Sequence, residues 1–178
     1  MVLLVVDTQE LVVTKELYHY DQFIENVQVL LITAREKQTE VIYIRHDDGV
    51  GCALTKGTRG FSIIGEFQPK PGEVIFDKFV NSAFRDTGLV DYLKSKQEQQ
   101  VMIVGAQTDY CIDATVKCGF EHGFEMIIPA GCNTTIDNEY MTGEQTCRYY
   151  NEKMWNKRYG RCVSMEEARN LMEKGREK

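Results

Sequence analysis

The sequence predicts an α/β fold: a parallel sheet with helices on both faces. Three observations predict it. Val2–Val6 is a continuous apolar run, the pattern of a strand buried on both faces. Phe23, Val27, Leu30, Leu31 and Ala34 then recur at helical spacing. Strand-like and helix-like segments go on alternating along most of the chain, which is the signature of such a sheet.

The elements follow in order. After Val2–Val6, Asp21 is expected to cap an amphipathic helix that runs to about Lys37. Val41–Ile44 reads as a second buried strand and Glu73–Phe76 as a short third. Leu89, Val90 and Leu93 mark a helix. Val101–Val104 is a strand ending at Gly105, and a helix is expected to start near Cys111. Phe124–Ile128 is the next strand, stopped by Pro129, and Cys162–Val163 a short last one. Ser164 with Glu167 predicts a capping box for a final helix. Two stretches show no periodicity, 45–72 and 130–160. The first holds six of the 14 glycines. Long loops of this kind carry function or simply cover the site.

The chain's 178 residues fit a single domain over 1–178, too short for a separate cofactor domain. Hydrophobic residues at 43% and charged residues at 27% are ordinary for a globular protein. A net charge of −6 argues against binding to nucleic acid or to an anionic membrane. No apolar run approaches the ~18 residues of a membrane span. The start lacks a basic region and a small-residue cleavage site, so the expected location is cytoplasmic. The six cysteines, at 52, 111, 118, 132, 147 and 162, contain no CxxC and read as thiols. His19, His46 and His122 are scattered, so no structural zinc spacing exists.

In a parallel sheet, ligands sit beyond the carboxyl ends of the strands. Asp7 follows the first strand, Lys78 the third, and Cys111 lies six residues past Gly105. A carboxylate, an ammonium and a thiol are thus expected at one sheet edge. The thiolate would be the nucleophile, its pKa lowered by the cation and a helix N-terminus. The carboxylate would carry the proton, and the lysine would stabilise both anions. Taken singly, each residue has a plainer role: a cap, a solvated cation, a buried spectator thiol.

The segment Leu3-Leu4-Val5-Val6-Asp7-Thr8-Gln9 resembles the opening of the isochorismatase-like cysteine hydrolases, a superfamily that includes the nicotinamidases. Asp77-Lys78-Phe79-Val80-Asn81-Ser82-Ala83-Phe84 is similar to its lysine motif, and Val104-Gly105-Ala106-Gln107-Thr108-Asp109-Tyr110-Cys111 to its nucleophile motif. Arg45-His46-Asp47-Asp48-Gly49 resembles one branch of generic cysteine hydrolases. The resemblance implies a three-layer α/β/α fold with a central six-stranded, mostly parallel sheet. It implies a triad of Asp7, Lys78 and Cys111, a cis peptide at Ala106–Gln107, and an oxyanion hole from the N–H groups of Gln107 and Cys111. It further implies cleavage of a small amide or related C–N bond through a thioester, with no cofactor, in a homodimer or larger homo-oligomer.

Two departures matter. The metal-binding relatives carry an Asp-x-His run with a further histidine nearby; Arg45-His46-Asp47-Asp48 lacks it, so no metal is expected. Relatives of this branch carry Asp-Gly-His-Thr-Thr after the fifth strand, where this chain has Gly131-Cys132-Asn133-Thr134-Thr135. Candidate substrate contacts are Gln9, His46, Phe79, Tyr110 and Asp113; a helix dipole explains Asp113 equally well. Phe61 and Phe84 are expected in the core, and Tyr149, Tyr150 and Trp155 at a subunit contact. Two other readings stand beside the hydrolase: a non-catalytic binding protein on the same fold, and a thiol-redox protein. A flavodoxin-like nucleotide binder is disfavoured, because Asp7-Thr8-Gln9-Glu10 offers no glycine to cradle a phosphate.

Overall fold

The computed structural model describes residues 1–174 of the 178. Among the described residues, seven strands form one sheet, and every pairing within it is parallel. They are β1 (Val2–Val6), β2 (Glu40–His46), β3 (Val74–Lys78), β4 (Gln100–Ala106), β5 (Glu125–Pro129), β6 (Asn133–Thr134) and β7 (Arg161–Val163). Six of them follow the order β3-β2-β1-β4-β5-β7. The seventh, β6, is a two-residue strand that pairs with Gly105 and Ala106, beyond the point where β5 leaves β4. The six-stranded sheet of the sequence reading is therefore present, with one short addition.

Five α-helices among the described residues cover the sheet: α1 (Tyr20–Glu36), α2 (Leu89–Ser95), α3 (Asp113–Glu121), α4 (Gly143–Arg148) and α5 (Met165–Lys174). Alternation along each strand sends side chains to two separate cores. Leu3, Val5, Tyr43 and Val104 pack with Phe23, Val27 and Leu30 of α1 and with Ala168 of α5. Val2, Leu4, Val6 and Ile103 pack with Leu89 and Leu93 of α2 and with Val116 of α3. That division makes three layers. No helix among the described residues is long and apolar enough to cross a membrane.

Most element boundaries agree with the sequence reading to within about two residues, the scatter usual for such assignments. Three details differ. Helix α1 begins one residue before Asp21, after a left-handed His19 with φ 49°; Asp21 bonds Lys15 at 2.8 Å instead of capping. At α5, Ser164 Oγ accepts the Glu167 N–H at 3.1 Å, but the Glu167 carboxylate turns to Arg161 at 3.0 Å, so the box is half made. The stretch 130–160 is more ordered than its pattern suggests. It holds β6, α4 and a π-helical segment, Tyr149–Trp155. Thr142 caps α4 in a full capping box with Gln145.

Strand order reverses at β1, whose neighbours are β2 and β4. Such a switch point opens a crevice at the carboxyl ends. Gly105 shows how closely the two strands approach there. Its φ is +135°, and a Cβ would stand 1.9 Å from the Val6 carbonyl oxygen. A side chain at 105 would push β1 and β4 apart beside the site.

Candidate active site

Three elements deliver the central groups. Asp7 is the first residue beyond β1; it takes a left-handed turn (φ 51°) while its N–H bonds the Ile44 carbonyl of β2 at 2.9 Å. Aspartate tolerates that region better than most residues. Lys78 ends β3, two strands away, opposite His46 in register. Its side chain is fully buried and runs inward. Cys111 sits in the π-helical turn Thr108–Ile112 that leads into α3. The Ala106–Gln107 peptide just before this turn is cis.

Lys78 Nζ lies 2.7 Å from Asp7 Oδ2, 2.7 Å from His46 Nδ1 and 3.2 Å from Cys111 Sγ. An ammonium has only donors, so His46 Nδ1 is the acceptor, and Nε2 then carries the hydrogen. Nε2 faces Asp48 Oδ1 at 3.0 Å. Gln9 fixes the His46 backbone from both sides: its Nε2 donates to the His46 carbonyl at 2.9 Å, and its Oε1 accepts the His46 N–H at 2.7 Å. Asp47 organises the following loop, accepting from Gly49 N at 2.8 Å and Thr55 Oγ1 at 2.7 Å.

The nucleophile turn is braced from behind. Thr108 Oγ1 donates to Asn133 Oδ1 at 2.9 Å, and the Asn133 and Asn151 side-chain amides pair reciprocally at 3.0 Å. Asp109 accepts from Thr135 Oγ1 at 2.6 Å. The Gly131-Cys132-Asn133 departure thus supplies a neutral amide bracket at this place.

The protonation balance differs from the sequence expectation. Burial, and after it the Asp7 charge, push the Cys111 thiol up to about 12, with Lys78 pulling the other way. Burial also raises the Asp7 carboxyl, opposed by Lys78. The expected lowered thiol pKa is therefore corrected: desolvation outweighs the single cation. Burial thus favours the thiol form of Cys111 and, to an extent that Lys78 opposes, the neutral form of Asp7.

A cavity of about 250 Å³ opens onto Cys111. Asp7, His46, Gln107 and Tyr110 line it with Asn81 and a wall of Leu11, Val12 and Leu54. Asn81 Oδ1 lies 3.8 Å from Cys111 Sγ. A larger cavity of about 840 Å³ lies by Gly131, Cys147 and Ser164 and contains none of the three central groups. The convergence of chemistry, not size, marks the site.

The structure does not line this cavity with every candidate contact. Gln9 is buried and occupied by the His46 backbone. Phe79 points to solvent, 70% exposed. Asp113 binds Trp155 Nε1 at 2.8 Å and Lys117 Nζ at 2.7 Å, which engages both carboxylate oxygens. Trp155 is wholly buried in the second core, so it makes no subunit contact in this fold. Phe61 and Phe84 are buried, as expected. Asn81 was missed, although it lies three residues after Lys78; only the fold turns it toward Cys111.

Donor atoms of Asp7, His46 and Cys111 lie within 4.8 Å of one another, an O/N/S set that suits zinc. Lys78 Nζ stands at bonding distance from all three residues, so a metal ion there would have to displace it.

Comparisons with known proteins show the family and the fold. The isochorismatase domain profile matches residues 1–147. A secreted isochorismatase effector, Isc1, of Verticillium dahliae is 28% identical over 104 residues, 58% of this chain and 55% of that protein. The ureidoacrylate amidohydrolase RutB of Agrobacterium fabrum is 30% identical over 70 residues, 39% of this chain and 31% of that protein. The matches thus span about half or less of these relatives' length. A putative hydrolase of the isochorismatase family from Chromobacterium violaceum shares the fold with a TM-score of 0.88 and 23% identity, covering 96% of this chain and 92% of that one. The chain belongs to the isochorismatase family of hydrolases.

Proposed function

We propose that the chain, as one catalytic unit over residues 1–178, is a cysteine hydrolase that cleaves a C–N bond of a small amide or lactam through a Cys111 thioester. One observation carries this reading: a buried ammonium within 3.2 Å of both a thiol and a carboxylate at the base of a cavity. The amidohydrolase named among the relatives supports the choice of bond.

The steps use only these groups. Asp7 accepts the Cys111 proton as the sulfur attacks the carbonyl carbon. Donors from the N–H groups of Gln107 and Cys111 hold the oxyanion of the tetrahedral intermediate. Its collapse expels the amine, which takes the proton from Asp7. A water molecule then gives a proton to Asp7 and attacks the thioester carbonyl. The second collapse releases the acid, and Asp7 returns the proton to sulfur. Lys78 keeps its positive charge throughout and offsets whichever anion is present. His46 accepts one Lys78 hydrogen and holds the ammonium in place. No cofactor enters any step.

The test is Cys111→Ala in an ammonia-release assay over small amides. Turnover is expected to vanish while the circular dichroism spectrum is unchanged; retained turnover would refute covalent catalysis. The same reading places the protein in the cytoplasm as a homo-oligomer. The six unpaired thiols support a reducing compartment, and the exposed Phe79 and Tyr140 support a subunit contact. Cell fractionation and light scattering check these two points.

A further inference from the structure

The reactive cavity carries a chemical bias beyond its nucleophile. Lys78, the cation of the site, is already engaged: it hydrogen-bonds His46 and Cys111 and forms an ion pair with Asp7. No arginine or lysine is among the residues that line the cavity. Of the cations in nearby sequence, Arg45 pairs with Asp77 at 2.7 Å and Arg59 with Glu10 at 2.6 Å, and the exposed Lys56 is not among the lining residues. One wall is aliphatic, built from Leu11, Val12 and Leu54, and the polar remainder includes the amides of Asn81 and Gln107 and the phenol of Tyr110.

A second cavity of about 380 Å³ shares Gln107 and Tyr110 with the first and adds Asp109 and Asp137. Both carboxylates have local partners, Thr135 for Asp109 and the Gly143 N–H for Asp137, and neither pairs with a cation there. Neither cavity thus has a cation in its lining. A substrate carboxylate would be desolvated in this space with nothing to pair it, beside Asp7 and Asp109.

We propose that the substrates of this chain are small amides with an uncharged aliphatic acyl group and no carboxylate on either side of the scissile bond. The acyl chain lies against Leu11, Val12 and Leu54, and the leaving amine faces the Gln107 and Tyr110 side. A volume of about 250 Å³ limits the acyl group to a few carbons. This rests on Cys111 being the nucleophile.

The experiment compares pentanamide, methyl succinamate and succinamate, measuring ammonia release and protection of Cys111 from iodoacetamide at pH 9. The methyl ester and its acid differ essentially in charge. The kcat/KM for the two neutral amides is expected to exceed that for succinamate by at least about 100-fold, since unpaired like-charge contacts are strongly disfavoured. Leu11→Arg, at a half-exposed position on the aliphatic wall, is expected to narrow that gap at least about 10-fold by supplying the missing cation. Equal or better use of succinamate overturns the proposal, as does an unchanged gap in Leu11→Arg. Protection by the neutral amides without ammonia release would support the proposed selectivity while sinking the hydrolase reading. Absence of both protection and turnover with the two neutral amides also overturns the proposal.

Discussion

A primary ammonium only donates, and Lys78 bonds His46 and Cys111 while it forms an ion pair with Asp7. The thiol nevertheless sits high, because burial and the Asp7 charge together outweigh the lysine. That balance makes Asp7→Asn informative. The substitution keeps the shape and removes a charge that raises the thiol. Cys111 in Asp7→Asn should therefore react faster with iodoacetamide at pH 8 than in the parent protein. Amide turnover should fall about 10²–10⁴-fold, because the proton carrier is gone. Slower labelling would mean that Asp7 does not control the thiol. At this scale the sequence named the three central residues, because each follows a strand end. It could not rank desolvation against one cation, since burial depends on what packs above the site. Nor could it show that Gln9 clamps the His46 backbone, since that partner lies 37 residues away.

Elements carry the site as rigid supports, and the segment 143–155 is the one least visible in the pattern. Its π-helical turns do not repeat every 3.6 residues, so helical spacing is lost there. The Thr142 and Gln145 capping box was still available as a start signal. This segment ends on Trp155, buried against α3 with its indole N–H on Asp113. Trp155→Ala should cost about 3–5 kcal/mol by urea denaturation, from the lost volume and the orphaned carboxylate oxygen. A loss below about 1 kcal/mol would mean that the segment is not anchored by this side chain. The sequence left Asp113 open between a substrate contact and a helix-dipole role, and the structure engages it with Trp155 and Lys117. A first-turn aspartate looks the same in sequence whether it faces a ligand or an indole.

Across the whole molecule, four thiols share one property. Cys111, Cys132, Cys147 and Cys162 are all raised above the ordinary value of 9.0, chiefly by burial. Cys162 is pushed up to about 11 and Cys111 to about 12. The unfolded chain releases these protons near pH 9, while the folded chain holds them. Between those limits the unfolded state binds fewer protons, so stability falls as pH rises. Each thiol adds a slope of up to about 1.4 kcal/mol per pH unit in that window. The urea midpoint should drop from pH 8 to pH 10.5, and Cys132→Ala should make the drop shallower. A midpoint that stays flat in the parent protein would show that the thiols ionise in the folded state.

The sequence by itself determined the alternation of strand and helix, the two buried faces of the sheet and the placing of Asp7, Lys78 and Cys111 at strand ends. These follow from periodicity and local geometry, which each segment carries within itself. Only the tertiary structure decided the desolvation of Cys111, the contact of His46 with Lys78, the engaged state of Asp113 and the absence of arginine and lysine from the cavity lining. Each of those depends on which distant side chains exclude water from a group and which polar atoms remain to satisfy it, and that is set when the layers close.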